Sequence, residues 1–296
     1  MKSLLEVAKE RVLVCDGAMG TQLQAAGMTG DECPEQWNVD KPDKVSDIHR
    51  RYCEAGTDLV ITNTFGGNQL KLSKRGLGNR MEEFNTAGAR LALEVVSNAY
   101  VLGDIGPTGE LLAPLGSLAP EDAQRGFAEQ AAALAKAGVH GIFVESMMSV
   151  DEAVLAVRGA REECDLPVLA SITFQKGKGG YRTLMGDTVA SAAELLKQAG
   201  AAIVGTNCGG GVDEAVEIIT EMAQFTSLPL IAEPNAGVPS LEEGRTVFRE
   251  TPDQWMQRVP KLVAIGTRII GGCCGTTPEH IRRLRNLIDE KEKTQS

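Results

Sequence analysis

The run Phe127–Ser146, FAEQAAALAKAGVHGIFVES, holds the repeating unit of this chain. Phe127, Ala131, Leu134 and Ala135 recur at helical spacing, so they share one face of a helix. Gly138 then supplies the left-handed cap that ends it. Gly141–Ser146, GIFVES, is too short and too rich in β-branched and aromatic residues for anything but a buried strand, and it finishes on the polar pair Glu145-Ser146.

Working outward, seven more such runs appear. VLVC begins at Val12, DLVIT at Asp58, YVLGDIG at Tyr100, PVLASITF at Pro167, AIVGTNC at Ala202, PLIAEPN at Pro229 and RIIGGCC at Arg268. Stretches with helical spacing separate them, among them Ile281, Leu284 and Leu287 near the C-terminus. Glycines 56, 138, 200 and 266 stand just before the second, fourth, sixth and eighth runs, as helix caps would. Strand then helix, eight times, is the pattern of a closed (β/α)8 TIM barrel, expected here as a single domain over residues 1–296. An open doubly wound sheet also alternates strand and helix, but no Gly-x-Gly-x-x-Gly turn follows the first run.

Composition limits the partners. With 43% apolar and 24% charged residues the chain can build a large core. Its net charge of -10, without a Lys/Arg cluster, argues against nucleic acid or an anionic membrane as a ligand. Glu6, Lys9, Glu10 and Arg11 interrupt the N-terminal apolar stretch, and no segment approaches the roughly 18 to 20 apolar residues of a membrane span, so a cytoplasmic location is expected. Seven cysteines, an odd number, fit metal or catalytic roles better than a disulfide framework.

Barrel active sites lie where the strands end, and here the strand ends are polar. They read Asp16-Gly17, Thr62-Asn63-Thr64, Gly103-Asp104, Glu145-Ser146, Asn207-Cys208, Glu233-Pro234-Asn235 and Cys273-Cys274. Cys208, Cys273 and Cys274 therefore share one rim, a soft donor set suited to zinc with a fourth position open. Neighbouring strand residues face opposite ways, so the vicinal pair can reach one ion only if the backbone turns; Gly271, Gly272 and Gly275 permit that. A buried core Cys208 beside a redox-active pair is the competing reading, and the shared rim weighs against it. A thiol with a pKa near about 8.5 is mostly protonated at neutral pH, whereas zinc deprotonates it. Three thiolates leave a zinc site at minus one, so a fourth, substrate thiolate stays electron-rich and can attack a methyl group. His49, His140 and His280 all lie away from the strand ends and are expected to be structural.

The motifs Asp16-Gly17-Ala18-Met19-Gly20-Thr21, Thr62-Asn63-Thr64-Phe65, Gly205-Thr206-Asn207-Cys208, Pro234-Asn235-Ala236-Gly237 and Gly271-Gly272-Cys273-Cys274-Gly275 resemble the homocysteine S-methyltransferase family, in order and over nearly the whole chain. The resemblance implies a zinc-dependent barrel that converts homocysteine to methionine, with Cys208, Cys273 and Cys274 as the zinc ligands. It implies that Asp16 and Glu145 meet the substrate ammonium and carry catalysis, and that Gly17 offers backbone donors to the carboxylate. Ala18 and Asn63 are assigned to the same pocket, as is Asn235, which in some relatives lends an amide oxygen to the metal. Betaine-using members resemble one another in aromatic residues around the quaternary ammonium. This chain has Ser146 and Gly66 where those would stand, with Trp37 as the one remaining ring. Asn63-Thr64-Phe65-Gly66 is closer to the homocysteine-binding module of cobalamin-dependent methionine synthase. The expected donor is accordingly methylcobalamin on a separate corrinoid protein; S-methylmethionine or betaine as donor, and a zinc and homocysteine module without catalysis of its own, are the alternatives. Gly209-Gly210-Gly211 lacks the Lys-Ser/Thr of a phosphate loop and is read as backbone close to the zinc site, and Lys176–Arg182 as a solvated loop or a mobile lid.

Overall fold

Each of the eight apolar runs becomes a strand in the computed structural model, which describes residues 2–242 and 245–295. The strands are β1 (Leu13–Val14), β2 (Leu59–Ile61), β3 (Tyr100–Ile105), β4 (Gly141–Met147), β5 (Val168–Ile172), β6 (Ile203–Cys208), β7 (Leu230–Pro234) and β8 (Ile269–Ile270). All are parallel and lie in the order β1-β8-β7-β6-β5-β4-β3-β2. The two ends of that order meet in a bridge between Cys15 and Leu59, with Asp58 N donating to Val14 O at 2.7 Å and Asp16 N to Leu59 O at 3.0 Å. The sheet thus closes into a (β/α)8 barrel. Gly56, Gly138, Gly200 and Gly266 have φ of 96°, 96°, 102° and 85°, the left-handed conformation expected of helix caps.

Alternation along the strands divides the core into two layers. Val14, Val60, Val101, Ile142, Val144, Val168, Ala170, Val204, Ala232 and Ile270 pack outward against the helices. Their neighbours Leu13, Leu59, Leu102, Phe143, Leu169, Ile203, Ile231 and Ile269 fill the barrel interior, together with Leu4 and Ala8 of the helix Leu4–Glu10. That helix closes the N-terminal end of the barrel, and each large aliphatic chain buried there contributes roughly 1.5–3 kcal/mol. Two residues further along, the interior parity falls on Asp104, Glu145, Ser171 and Glu233, and four residues beyond Ile203 on Asn207. The lower layer is oil and the upper layer is acid and amide. Only glycine fits at Gly205 in this level, because an added Cβ would stand 1.8 Å from the Ile231 carbonyl oxygen.

Lys176–Arg182 is ordered, as most of an antiparallel hairpin pairing Gln175–Gly177 with Gly180–Arg182. Lys176 and the Tyr181 hydroxyl both bind Glu217, at 2.8 and 2.9 Å, and Tyr181 is buried. A second hairpin, Ser240–Glu242 with Arg245–Val247, lies on the loop after β7. No helix among the described residues is long and apolar enough to cross a membrane.

Candidate active site

The cysteine trio forms because two strand ends turn out of register. Cys208 closes β6 with φ 59°, while β8 stops at Ile270 and the chain turns before Cys273 and Cys274. Gly272 N is held by Asp16 O at 3.0 Å, Cys273 N by Pro234 O at 3.0 Å, and Gly275 completes the turn at φ 81°. The three sulfur atoms consequently lie within 4.8 Å of one another. Hydrogen bonds from the Cys273 and Cys274 thiols push the Cys208 thiol down to about 3, while donating those hydrogen bonds to Cys208 raises the other two, Cys274 to about 12. One thiolate and two thiols is what these distances support without a cation; a dication would let all three ionise. The donor set therefore fits a soft divalent metal.

Asn235 lies against this cluster. Its Nδ2 donates to Gly209 O at 2.8 Å, and its buried Oδ1 has no partner, the atom that would be free to face a cation. Gly209 in turn donates its N–H to Cys208, so the glycine run does stand beside the sulfurs.

Below the sulfurs lies a buried acidic layer. Glu145 and Ser146 sit on a β-bulge in β4, where register shifts between Val144 and Met147 and Ser146 has φ 56°. Asn207 Nδ2 donates to Glu145 Oε2 and, at 2.8 Å, to Ser146 Oγ. Asp104 and Glu145 are in hydrogen-bonding contact, which requires a proton on one of them. Burial pushes Glu145 up to about 7, opposed by the Asp104 contact and reinforced by the Cys208 charge. Burial likewise holds Asp16, Asp104 and Glu233 well above the ordinary carboxylate range. Asp104 Oδ1 and Glu233 Oε1 are buried without a partner. Such a pocket favours a cation with hydrogens to give, such as an ammonium group.

Asp16 is partly committed already. Its Oδ2 accepts from Ile61 N at 3.0 Å, which extends the ladder that closes the barrel, and its Oδ1 lies 3.8 Å from the Cys15 sulfur. Gly17 stands beside it, with its N–H unpaired among the described residues, where an added Cβ would come within 2.8 Å of the Tyr52 hydroxyl. Ala18 has no donor left, since its N–H goes to Thr276 Oγ1 at 3.1 Å. Asn63 gives both amide hydrogens to Pro34 O (2.7 Å) and Asn38 Oδ1 (2.9 Å), so only its oxygen remains. Trp37 offers no aromatic wall: it is 3% exposed, Lys41 covers its ring at 3.9 Å, and its indole N–H is bound to Glu32. His49 is a neutral core histidine, pushed down to about 4 by burial, and His140 and His280 bond to backbone. Asn207 was visible in the sequence as a strand-end residue, but nothing there marked it as the hub of the site.

Residues 13–288 match the family model described as homocysteine S-methyltransferase. Methionine synthase of Mycobacterium tuberculosis is 33% identical over 96% of this chain, and that of Mycobacterium leprae is equally similar. The chain spans 25% of the length of those relatives. Among solved structures, the metallated form of the homocysteine methyltransferase MmuM from Escherichia coli superposes with a TM-score of 0.79 at 22% identity, covering 96% of this chain and 99% of that one. The carboxyl transferase domain of Rhizobium etli pyruvate carboxylase shares the barrel more distantly, at a TM-score of 0.56 and 17% identity over 95% of this chain and 48% of that one.

Proposed function

Given that the chain belongs to the homocysteine S-methyltransferase family, we propose that it methylates homocysteine to methionine at a zinc site, as one barrel unit, with the methyl group supplied by a methylated corrinoid protein. The observation that carries this reading is the convergence of Cys208, Cys273 and Cys274 directly above a buried acidic layer. Cys208, Cys273 and Cys274 would hold the zinc, which when bound would supply the deprotonation of a substrate thiol at neutral pH. The chain's own residues do the rest. Glu145 and Asp16 meet the substrate ammonium, the Gly17 N–H meets its carboxylate, and together they aim the thiol at the sulfur cluster. Asn235 Oδ1 stands by at the sulfurs when no thiol is bound.

Two features favour a large donor. Ser146 and Gly66 carry no ring and Trp37 is covered, so a quaternary ammonium would find no cage. Seven of the nine exposed large apolar residues among those described stand on loops that follow strands, including Leu115 at 70% exposure, Leu184 at 62%, Val238 at 70% and Leu241 at 78%. A rim of that kind suits a protein that docks over the mouth with methylcobalamin. The test offers methylcobalamin, betaine and S-methylmethionine separately to the zinc-loaded protein with homocysteine, and follows methionine by mass spectrometry. Turnover with methylcobalamin is expected. Turnover with either small donor and none with methylcobalamin overturns the donor, and homocysteine binding without turnover on any donor reduces the chain to a binding module.

A further inference from the structure

Asn207 is 1% exposed, and both ends of its amide are fully used. Its Oδ1 accepts the Ser146 N–H at 2.9 Å and the Ser171 hydroxyl at 2.7 Å. Its Nδ2 donates to Glu145 Oε2 and to Ser146 Oγ at 2.8 Å, and lies 3.9 Å from Cys273 Sγ. One side chain therefore ties β4, β5 and β6 to the sulfur cluster.

Its direction is set by unusual backbone on both sides. Consecutive strand residues normally face opposite ways, so Asn207 and Cys208 would not share a pocket, nor would Glu145 and Ser146. Ser146 and Cys208 are the two non-glycine residues with positive φ among those described, at 56° and 59°. Such conformations are strained for residues with a side chain and persist only where surrounding contacts impose them. At Ser146 the contacts that impose it come from Asn207, which accepts the N–H and donates to the hydroxyl oxygen at once.

We propose that Asn207 is a positioning residue that fixes the span between the Glu145 carboxylate and the sulfur cluster, and so selects the length of the amino thiol that fits. The inference rests on the reading above, in which Glu145 holds the substrate ammonium. Homocysteine carries one methylene more than cysteine between its α-carbon and its sulfur. With Glu145 tied to the same amide that meets Cys273, a cysteine anchored by its ammonium falls short of the metal position. Released from Asn207, the Glu145 side chain can swing and the shorter thiol reaches.

The experiment uses the zinc-loaded chain and its Asn207→Asp and Asn207→Ala variants. Calorimetry reads the affinity of each for homocysteine, cysteine and 4-mercaptobutanoate, the last being homocysteine without its amino group, and metal content and melting temperature are recorded in parallel. Both variants are expected to weaken homocysteine about tenfold or more, the effect of losing one hydrogen bond to a charged group, and to weaken 4-mercaptobutanoate by less than about threefold. The preference for homocysteine over cysteine is expected to shrink in the same variants. Ser171→Ala, which removes one bond to the Asn207 oxygen and leaves the donation to Glu145 in place, shifts the same ratio by less. Parallel loss of all three thiols, or unchanged homocysteine affinity, overturns the assignment of Asn207 alone. A wild-type chain that binds neither homocysteine nor 4-mercaptobutanoate refutes the substrate reading and the Asn207 role with it.

Discussion

Replacing Glu145 by Gln tests the charge at the floor of the pocket with little change in shape. The present carboxylate accepts from Asn207 through Oε2 and touches Asp104. A glutamine can keep its oxygen toward Asn207 and turn its NH2 to Asp104, which then accepts, so the fold is expected to survive. What disappears is the charge facing the substrate ammonium. A hydrogen bond between charged groups is worth about 1.5–3 kcal/mol, which at 1.4 kcal/mol per decade predicts roughly a 10- to 150-fold weaker homocysteine. Affinity for 4-mercaptobutanoate should hardly move. Acidity gives a second signature. Burial, reinforced by the Cys208 charge, raises Glu145 to about 7, so in the free protein this carboxyl is protonated below that pH and cannot pair with an ammonium. The ratio of homocysteine to 4-mercaptobutanoate affinity should therefore rise as pH increases through about 7 in the wild type and stay flat in Glu145→Gln. A metal on Cys208 cancels part of the repulsion and moves that midpoint down. Titration calorimetry from pH 5.5 to 8.5 measures both. Equal losses for the two thiols, or a pH-dependent ratio that survives in the variant, would refute the role given to Glu145.

Cys273→Ser Cys274→Ser should lose stoichiometric zinc by elemental analysis, since a single remaining thiolate cannot hold the ion; zinc kept at one per chain sinks the ligand set. Gly205→Ala drives a Cβ to 1.8 Å from the Ile231 carbonyl and should cost about 3 kcal/mol, read as a lower urea midpoint. The metal-free protein should lose stability as pH rises above about 4.5. Asp16, Asp104 and Glu233 keep their protons when folded and release them in the unfolded chain near their ordinary values of 3.8 to 4.5, so the folded state binds more protons across that window. Urea unfolding in chelator at several pH values checks this, and Glu233→Gln should flatten the slope.

The barrel was legible because its signals are local and repeated: all eight apolar runs became strands, and the four glycines before alternate runs cap helices. The sulfur cluster was legible because three cysteines stood at strand ends that a barrel brings to one rim. The left-handed turns at Ser146 and Cys208 were not, since neither residue type favours that conformation and only tertiary hydrogen bonds impose it. Asn207 was hidden for the same reason, its importance lying in four partners scattered over three other segments. Asn63 shows the opposite case. It sits in a telling motif, yet the fold uses its amide hydrogens to tie the end of β2 to residues 34–38. The hairpin over Lys176–Arg182 escaped notice because three of its seven residues are glycines, which carry no alternation to read.

The helix Leu4–Glu10 gives this barrel a stopper, and with the apolar layer above it leaves a single doorway. In the proposed reaction the thiol must descend to Glu145 while the donor stays at the lip. Traffic through one doorway is then a queue: the amino thiol enters first, the methyl carrier follows, and methionine waits below until the carrier has left. Excess carrier would slow turnover by barring the exit, an inhibition pattern that a barrel open at both ends would not produce.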